Sequence, residues 1–267
     1  MPSSLIQLFG KAIQHNSTIL ALASRELKSK YVGSVGGFFW ELAQPIAIVV
    51  IYYYIFTVGF RAQVPEDAPF VLWFVCGLVS WLFFNEVLLG ITNSITSNQH
   101  LVKKTIFPTE VLSFVYLTTG LFSHLIFLII LVGMLYFFEV QFQSSRLIIV
   151  YFVICNIALV FSLGLIFSAL QVFYRDISHA LTITLNLLFW VTPIVWSPQI
   201  MPIKYQTLIH YNPINYIVQG YRGALIYETI SWPSTSITIY FWFITSLTLF
   251  AGGYMFHRLK PEFSDVL

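Results

Sequence analysis

Charge is scarce in this sequence. Of its 267 residues only 9% are Asp, Glu, Lys or Arg, against 58% hydrophobic, where a soluble domain carries about 25% charged residues. So few charges exclude a single water-soluble globule, and the lipid bilayer must serve as part of the solvent. Cysteine is almost missing: Cys76 and Cys155 both sit inside long apolar runs. That excludes a disulfide scaffold and makes them small packing residues. The first fifteen residues contain no long apolar core followed by a small-residue cleavage site. No removable signal peptide is expected, and the first membrane helix would itself direct insertion.

Two chemical signatures are also missing. No G-x-x-x-x-G-K-[ST] phosphate loop occurs, so any ATP-driven work needs the nucleotide on another polypeptide. The six histidines (His15, His100, His124, His179, His210 and His257) are scattered without an H-E-x-x-H pair. Neither a catalytic constellation nor a metal, cofactor or nucleic acid bound by this chain is expected. Strand alternation of the barrel type does not recur, which makes a β-barrel a poor rival.

What the chain has is long apolar runs. A spanning helix needs about 20 mainly apolar residues, and the runs at 39–58, 70–91, 111–138, 147–171, 180–196 and 236–256 meet that need. The fifth is short and interrupted by Pro193, a break that neighbouring helices can repair. With the N-terminus in the cytoplasm, nine basic residues lie inside: Lys11, Arg25, Lys28, Lys30, Lys103, Lys104, Arg175, Arg258 and Lys260. Four lie outside: Arg61, Arg146, Lys204 and Arg222. Nine against four satisfies the positive-inside rule for an even number of spans with both ends in the cytoplasm.

Three stretches do not cross. Residues 17–30 read as an amphipathic helix at the inner interface, with Ile19, Leu20, Ala23 and Leu27 on one face and Arg25 and Lys28 away from it. Asn16 or Ser17 is the expected cap. Gly33, Gly36 and Gly37 then allow a sharp change of direction before the first span. Beyond the fifth span, 197–235 is too structured for a simple loop. Asn212-Pro213 reads as a helix start, with asparagine as cap and proline in the first turn, running to about Ile226. Two short re-entrant helices dipping into the outer half of the membrane fit this segment. The fold expected is therefore an all-α membrane protein in one domain, with six spans, an interface helix and outer re-entrant helices.

Arg25-Glu26-Leu27-Lys28, Tyr31, Ser34, Gly37, Trp40 and Gln44-Pro45 open a series of short motifs. Gly77, Trp81, Phe83-Phe84, Asn98, Leu101-Val102-Lys103-Lys104, Phe107-Pro108 and Glu110 continue it. Tyr174-Arg175-Asp176-Ile177, Pro193-Ile194, Asn212-Pro213 and Tyr221-Arg222 follow, and Arg258 to Leu267 closes it. In this order, over nearly the whole chain, they resemble type-2 ABC exporter permeases, and within them the polysaccharide and polyol-phosphate export branch, especially O-antigen permeases. The chain departs from the family pattern at Gly36, where leucine is more usual, and at Ser80 and Ser113, where proline is common.

The resemblance implies a homodimer in a bacterial inner membrane, working with two copies of a cytoplasmic ABC ATPase that holds ATP and Mg. The cargo would be a lipid-linked polysaccharide moved outward between the protomers. The loop at 96–109 would hold the coupling helix, with Asn98, His100, Lys103 and Lys104 near the ATPase. Aromatic walls suit a sugar chain, whose ring faces are apolar, and rigid rings lose little entropy on contact. Trp40, Tyr53, Tyr54, Trp73, Trp81, Phe84 and Trp190 are the path candidates. Glu86, an acid inside the second span, is expected to face the path or the dimer seam, because lipid exposure is costly. Asn212, Tyr216, Tyr221 and Arg222 are outer-gate candidates. Other readings are a capsular or teichoic-acid permease of the same family, an ABC permease for small drugs or lipids, and a membrane-embedded transferase acting on a glycan or lipid carrier.

Overall fold

The computed structural model describes residues 2–30, 34, 36–37, 39–59, 69–104, 107–141, 143–227 and 233–267, in which there is no strand. Tyr31, Gly33 and Arg61 from the readings above lie outside them. The first helices are α1 (Pro2–Gln14), α2 (Asn16–Ser29) and α3 (Phe39–Tyr53), the last continuing into a π-helical turn, Tyr54–Gly59. Then come α4 (Phe70–Ser97), α5 (Gln99–Lys104), α6 (Glu110–Phe137), α7 (Ile149–Phe173) and α8 (Ile177–Val191). The chain ends with α9 (Ile203–His210), α10 (Pro213–Leu225), α11 (Thr235–Leu259) and α12 (Phe263–Val266).

Four helices, with their flanking turns, are long and apolar enough to cross a membrane: Phe70–Ser97, Glu110–Phe137, Ser144–Phe173 and Thr235–Val266. Pro45–Gly59 and Ile177–Val191 are shorter apolar helices. The second expected span continues six residues further, to Ser97. The fifth stops early, at Val191. Thr192 N–H still bonds to the Leu188 carbonyl, but Pro193 has no N–H to offer and the chain turns. At 1.5 Å per residue α8 is about 22 Å long, short of the roughly 30 Å hydrocarbon core.

α4 is the central helix. It packs on α6, α7, α8, α10 and α3, while α7 lies between α4 and α11. Because lipid is as apolar as leucine, such helices associate through close packing over small residues. A Cβ on Gly120 of α6 would lie 2.2 Å from Val87 Cγ2, and one on Gly164 of α7 2.7 Å from Ile91 Cγ2. At Gly252 of α11 it would come within 2.8 Å of the Ser162 carbonyl oxygen. We call the end where α4, α7 and α11 begin the upper end, and the opposite end the lower.

At the lower end a helix forms over Asn16–Ser29, close to the expected 17–30, but its details differ. His15 occupies the N-cap position and no side chain caps the helix. Ile19 and Ala23 pack on Val111 and Val115 of α6, with Leu22 beside them, whereas Leu20 faces outward. An extra helix, α1, precedes it. It is amphipathic rather than continuously apolar, and its buried Leu8 joins the core while Phe9 meets Phe114 edge-on at 5.8 Å. Glu110, at the start of α6, is buried and takes Lys11 of α1 at 3.0 Å and Lys260, after α11, at 2.8 Å. The hydrogen bond to Glu110 raises the Lys11 ammonium above its usual range. The Lys11 contribution is therefore complete at neutral pH and is lost as pH rises through that raised value, while acidification removes it from the Glu110 side.

Overpacking a close helix crossing costs about 1–3 kcal/mol. Gly252→Leu, which drives a side chain against backbone, should lower the thermal unfolding midpoint in detergent. Gly133→Leu, whose Cβ meets nothing within 4 Å, should leave it unchanged. Equal midpoints would contradict the close approach of α11 to α7.

Candidate functional site

The upper end is organised by α10. The Asn212 side chain accepts from Ile214 N–H at 3.0 Å and so caps the helix, as the Asn-Pro pair predicts. Its amide also donates to Thr192 Oγ1 at 3.0 Å, which holds the start of α10 to the end of α8. Tyr216 stacks on Phe241 of α11 at 4.6 Å, and its hydroxyl meets those of Tyr151 at 3.0 Å and Thr238 at 3.2 Å. The Tyr221 hydroxyl lies 2.9 Å from His124 Nε2 of α6. These ties wedge α10 among α6, α7, α8 and α11.

Arg222 closes the wedge. Its guanidinium is fully buried, and among the described residues no carboxylate pairs with it. Nε donates to the Trp73 carbonyl at 3.1 Å, Nη1 to that of Pro193 at 2.8 Å and Nη2 to that of Ile194 at 2.8 Å. The guanidinium carbon sits 3.3 Å from the centre of the Trp73 ring. Two of the carbonyls lie just past the end of α8, where no further helical N–H can reach them and the helix dipole favours a cation. Gly77 makes the room, since a Cβ there would come within 2.8 Å of Nη2. A second arginine repeats the arrangement: buried Arg146 donates to the Gln141 carbonyl and to that of Leu225, the last residue of α10.

The path candidates divide into two groups. Trp73, Trp81 and Phe84 are buried inside the subunit, with Trp81 on Phe84 at 6.0 Å and Phe189 at 5.7 Å. Trp40, Tyr53, Tyr54 and Trp190 are exposed. The upper parts of α3 and α8 meet through Tyr52, whose ring lies 6.3 Å from both Phe189 and Trp190. α8 buries only Leu181 and Leu185. Its open side carries Thr182, Asn186 and Trp190 at steps of four, and the Asn186 amide makes no hydrogen bond among the described residues.

Glu86 is half-buried and ion-paired. Lys30, just beyond α2, pairs with it at 2.5 Å, across the mouth of a cavity of about 340 Å³ whose lining includes Trp40, Leu82, Asn85 and Phe127. Gly37 beside it takes φ +48°, a left-handed turn that glycine permits. At the lower end Asn98 is buried, donating to the Ser94 carbonyl at 2.9 Å and facing the Tyr116 hydroxyl at 3.4 Å. It braces α4 against α6. His100 and Lys103 of α5 are exposed, as are Arg25 and Lys28 of α2. The side chain of Lys104 lies outside the described residues.

A family model described as ABC-2 type transporter matches residues 17–226, more than three quarters of the chain. The chain belongs to the ABC-2 type transporter family. Relatives of full length agree. An O-antigen export system permease protein RfbA of Klebsiella pneumoniae is 28% identical over 254 residues, 93% of this chain and 94% of its own. Another of that name, from Myxococcus xanthus, is 27% identical over 98% of this chain and 99% of its own. The polysialic acid transport protein KpsM of Escherichia coli is 24% identical over 88% and 90%.

The region matched by the ABC-2 family runs from α2 through α10 and so contains Lys30, Glu86 and Arg222 together. Sequence reasoning placed Arg222 at an outer gate and Trp73 on a path, without signal that the two touch. It missed the inward role of Arg146 and the Lys30 partner of Glu86. A lone arginine near a proline-terminated apolar helix is the signal that could have found the first pair.

Leaving a buried carbonyl without its donor costs about 1–3 kcal/mol. Arg222→Met is therefore expected to lower folded yield and thermal midpoint sharply, since it orphans the carbonyls of Pro193 and Ile194. Gly77→Ala, pressing on Nη2, should do the same more mildly. A normal midpoint for Arg222→Met would refute the organising role of Arg222.

Proposed function

We propose that this chain is the membrane subunit of an ATP-driven exporter of a lipid-linked, O-antigen-like polysaccharide. What carries the reading is the likeness, over nearly their full length, to permeases named for O-antigen export. The geometry supports it through the open face of α3 and α8. Exposed Tyr53, Tyr54 and Trp190 can stack on sugar rings, as can Trp40 beside its own cavity, while the Asn186 amide, which makes no hydrogen bond among the described residues, can meet hydroxyls or water. A polar group at membrane depth should face a partner subunit or water rather than lipid, which favours a homodimer with the path along this face.

In this reading the four long helices, α3 with its π-helical turn, and α8 with the buried stretch behind it make six crossings. α9 and α10 dip back from the outer side. The distribution of basic residues supports a cytoplasmic lower end with both termini there. Two copies of a cytoplasmic ATPase, holding ATP and Mg, would dock at α5 through His100 and Lys103, with Asn98 fixing the angle of α5 from within.

Deleting the gene in its host should strip the polymer from the cell surface and leave lipid-linked precursor on the cytoplasmic face. Normal surface polymer without retained precursor would refute the reading. Charge reversal with Lys103→Glu should cut the ATPase subunit that co-purifies by about tenfold, equivalent to 1.4 kcal/mol, at unchanged permease level. Undiminished co-purification would remove α5 as the docking element.

A further inference from the structure

A groove at the upper end lies apart from the α3–α8 face, on the side formed by α7 and α11. It consists of two adjoining cavities of about 290 and 380 Å³ that share His210, Ser234 and Ile237. Asn215 and Gln219 of α10 line the first, with Phe152 and Tyr216 as its aromatic wall. Tyr211 and Tyr240 line the second, their rings edge-to-face at 5.2 Å.

The polar groups define what would fit. Asn215 is only 3% exposed. Its Oδ1 accepts from Gln219 Nε2 at 3.3 Å, but its Nδ2 donates no hydrogen bond among the described residues. Asn215 lines the cavity, so a molecule bound there can accept from its amide. The described lining residues include His210 together with amides, hydroxyls and aromatic rings, with no Lys, Arg, Asp or Glu among them. A purely apolar occupant would leave the Asn215 donor unpaired, at a cost. Amides and hydroxyls beside aromatic faces match one chemistry well: a neutral ring carrying many hydroxyls.

We propose that this groove binds a neutral sugar unit on the outer side of the membrane, at a site separate from the translocation path. The sugar can come from the exported chain after it has crossed, an origin that rests on the function proposed above, or from a glycolipid headgroup in the outer leaflet.

The test uses the full chain with its ATPase partner in its own host. p-Benzoylphenylalanine replaces Tyr211 at the groove rim, cells are irradiated, and the purified protein is stained for periodate-oxidised carbohydrate. The expected result is a carbohydrate-bearing adduct that the same probe at Phe243, on the exposed face of α11, does not give. Asn215→Leu, close to isosteric, should reduce the adduct about tenfold, as expected for the loss of one net hydrogen bond. Should that variant fail to accumulate, half-buried Gln219→Leu carries the same expectation. In cells unable to make the surface polymer, disappearance of the adduct identifies the exported chain and persistence identifies a glycolipid; both support the site. An adduct free of carbohydrate, or one undiminished in the folded variants, overturns it. Failure of the export reading would show separately, as normal surface polymer in the deletion strain.

Discussion

The upper half of this protein depends on one buried cation with which no carboxylate among the described residues pairs. Placing a guanidinium among apolar helices is costly unless its hydrogen-bonding groups are met, and Arg222 is met by three carbonyls and an indole face. Those carbonyls come from α4 and from the stretch just past α8, so satisfying the charge fixes where α8 ends relative to where α4 begins. The demand is mutual. Pro193 and Ile194 follow a terminated helix, and their oxygens would face hydrocarbon or protein without a donor. A carboxylate partner would neutralise the charge, but it could not satisfy carbonyls on separate chain segments at once.

Polar contacts elsewhere follow the same rule of joining elements that packing alone would leave loose. Arg146 reaches the last turn of α10, and Glu110 gathers α1 and the end of α11 to the start of α6. Asn156 of α7 donates to the Ser80 carbonyl of α4 at 2.9 Å, and Ser162 of α7 meets Thr248 of α11 at 3.0 Å. In a bilayer, where apolar surface gives no net drive for one helix to prefer another, such contacts together with close glycine crossings select the arrangement.

Much of this was legible in the sequence because its signals are local. Apolar length located the long helices to within a few residues at most ends, and Asn212-Pro213 located the start of α10. What escaped depends on the third dimension. α1 is too polar to register as a span, and its place follows from Leu8 and Phe9 finding α6 and α11. The stripe on α2 includes Leu22 rather than Leu20, because the partner surface on α6 chooses the face. Trp73, Trp81 and Phe84 look like Trp190 by composition. Only their neighbours distinguish rings that pack within the subunit from rings left open. Asn98 and Glu86 illustrate the same point for polar groups, since one turns inward as a brace and the other finds Lys30 across more than fifty residues of chain.

The distribution of these ties has a mechanical consequence. α10 is bound by side-chain hydrogen bonds or ion–dipole contacts to α4, α6, α7, α11 and the end of α8, so separating any of them exposes unsatisfied groups. α3 instead meets α4 and α8 at the upper end through Tyr52, Phe56 and their aromatic neighbours, contacts that can slide without orphaning a donor or acceptor. The cost of motion is therefore low along the α3–α8 face and high everywhere around α10. In the exporter proposed above, motion would follow that difference, with α10 moving as part of the upper body.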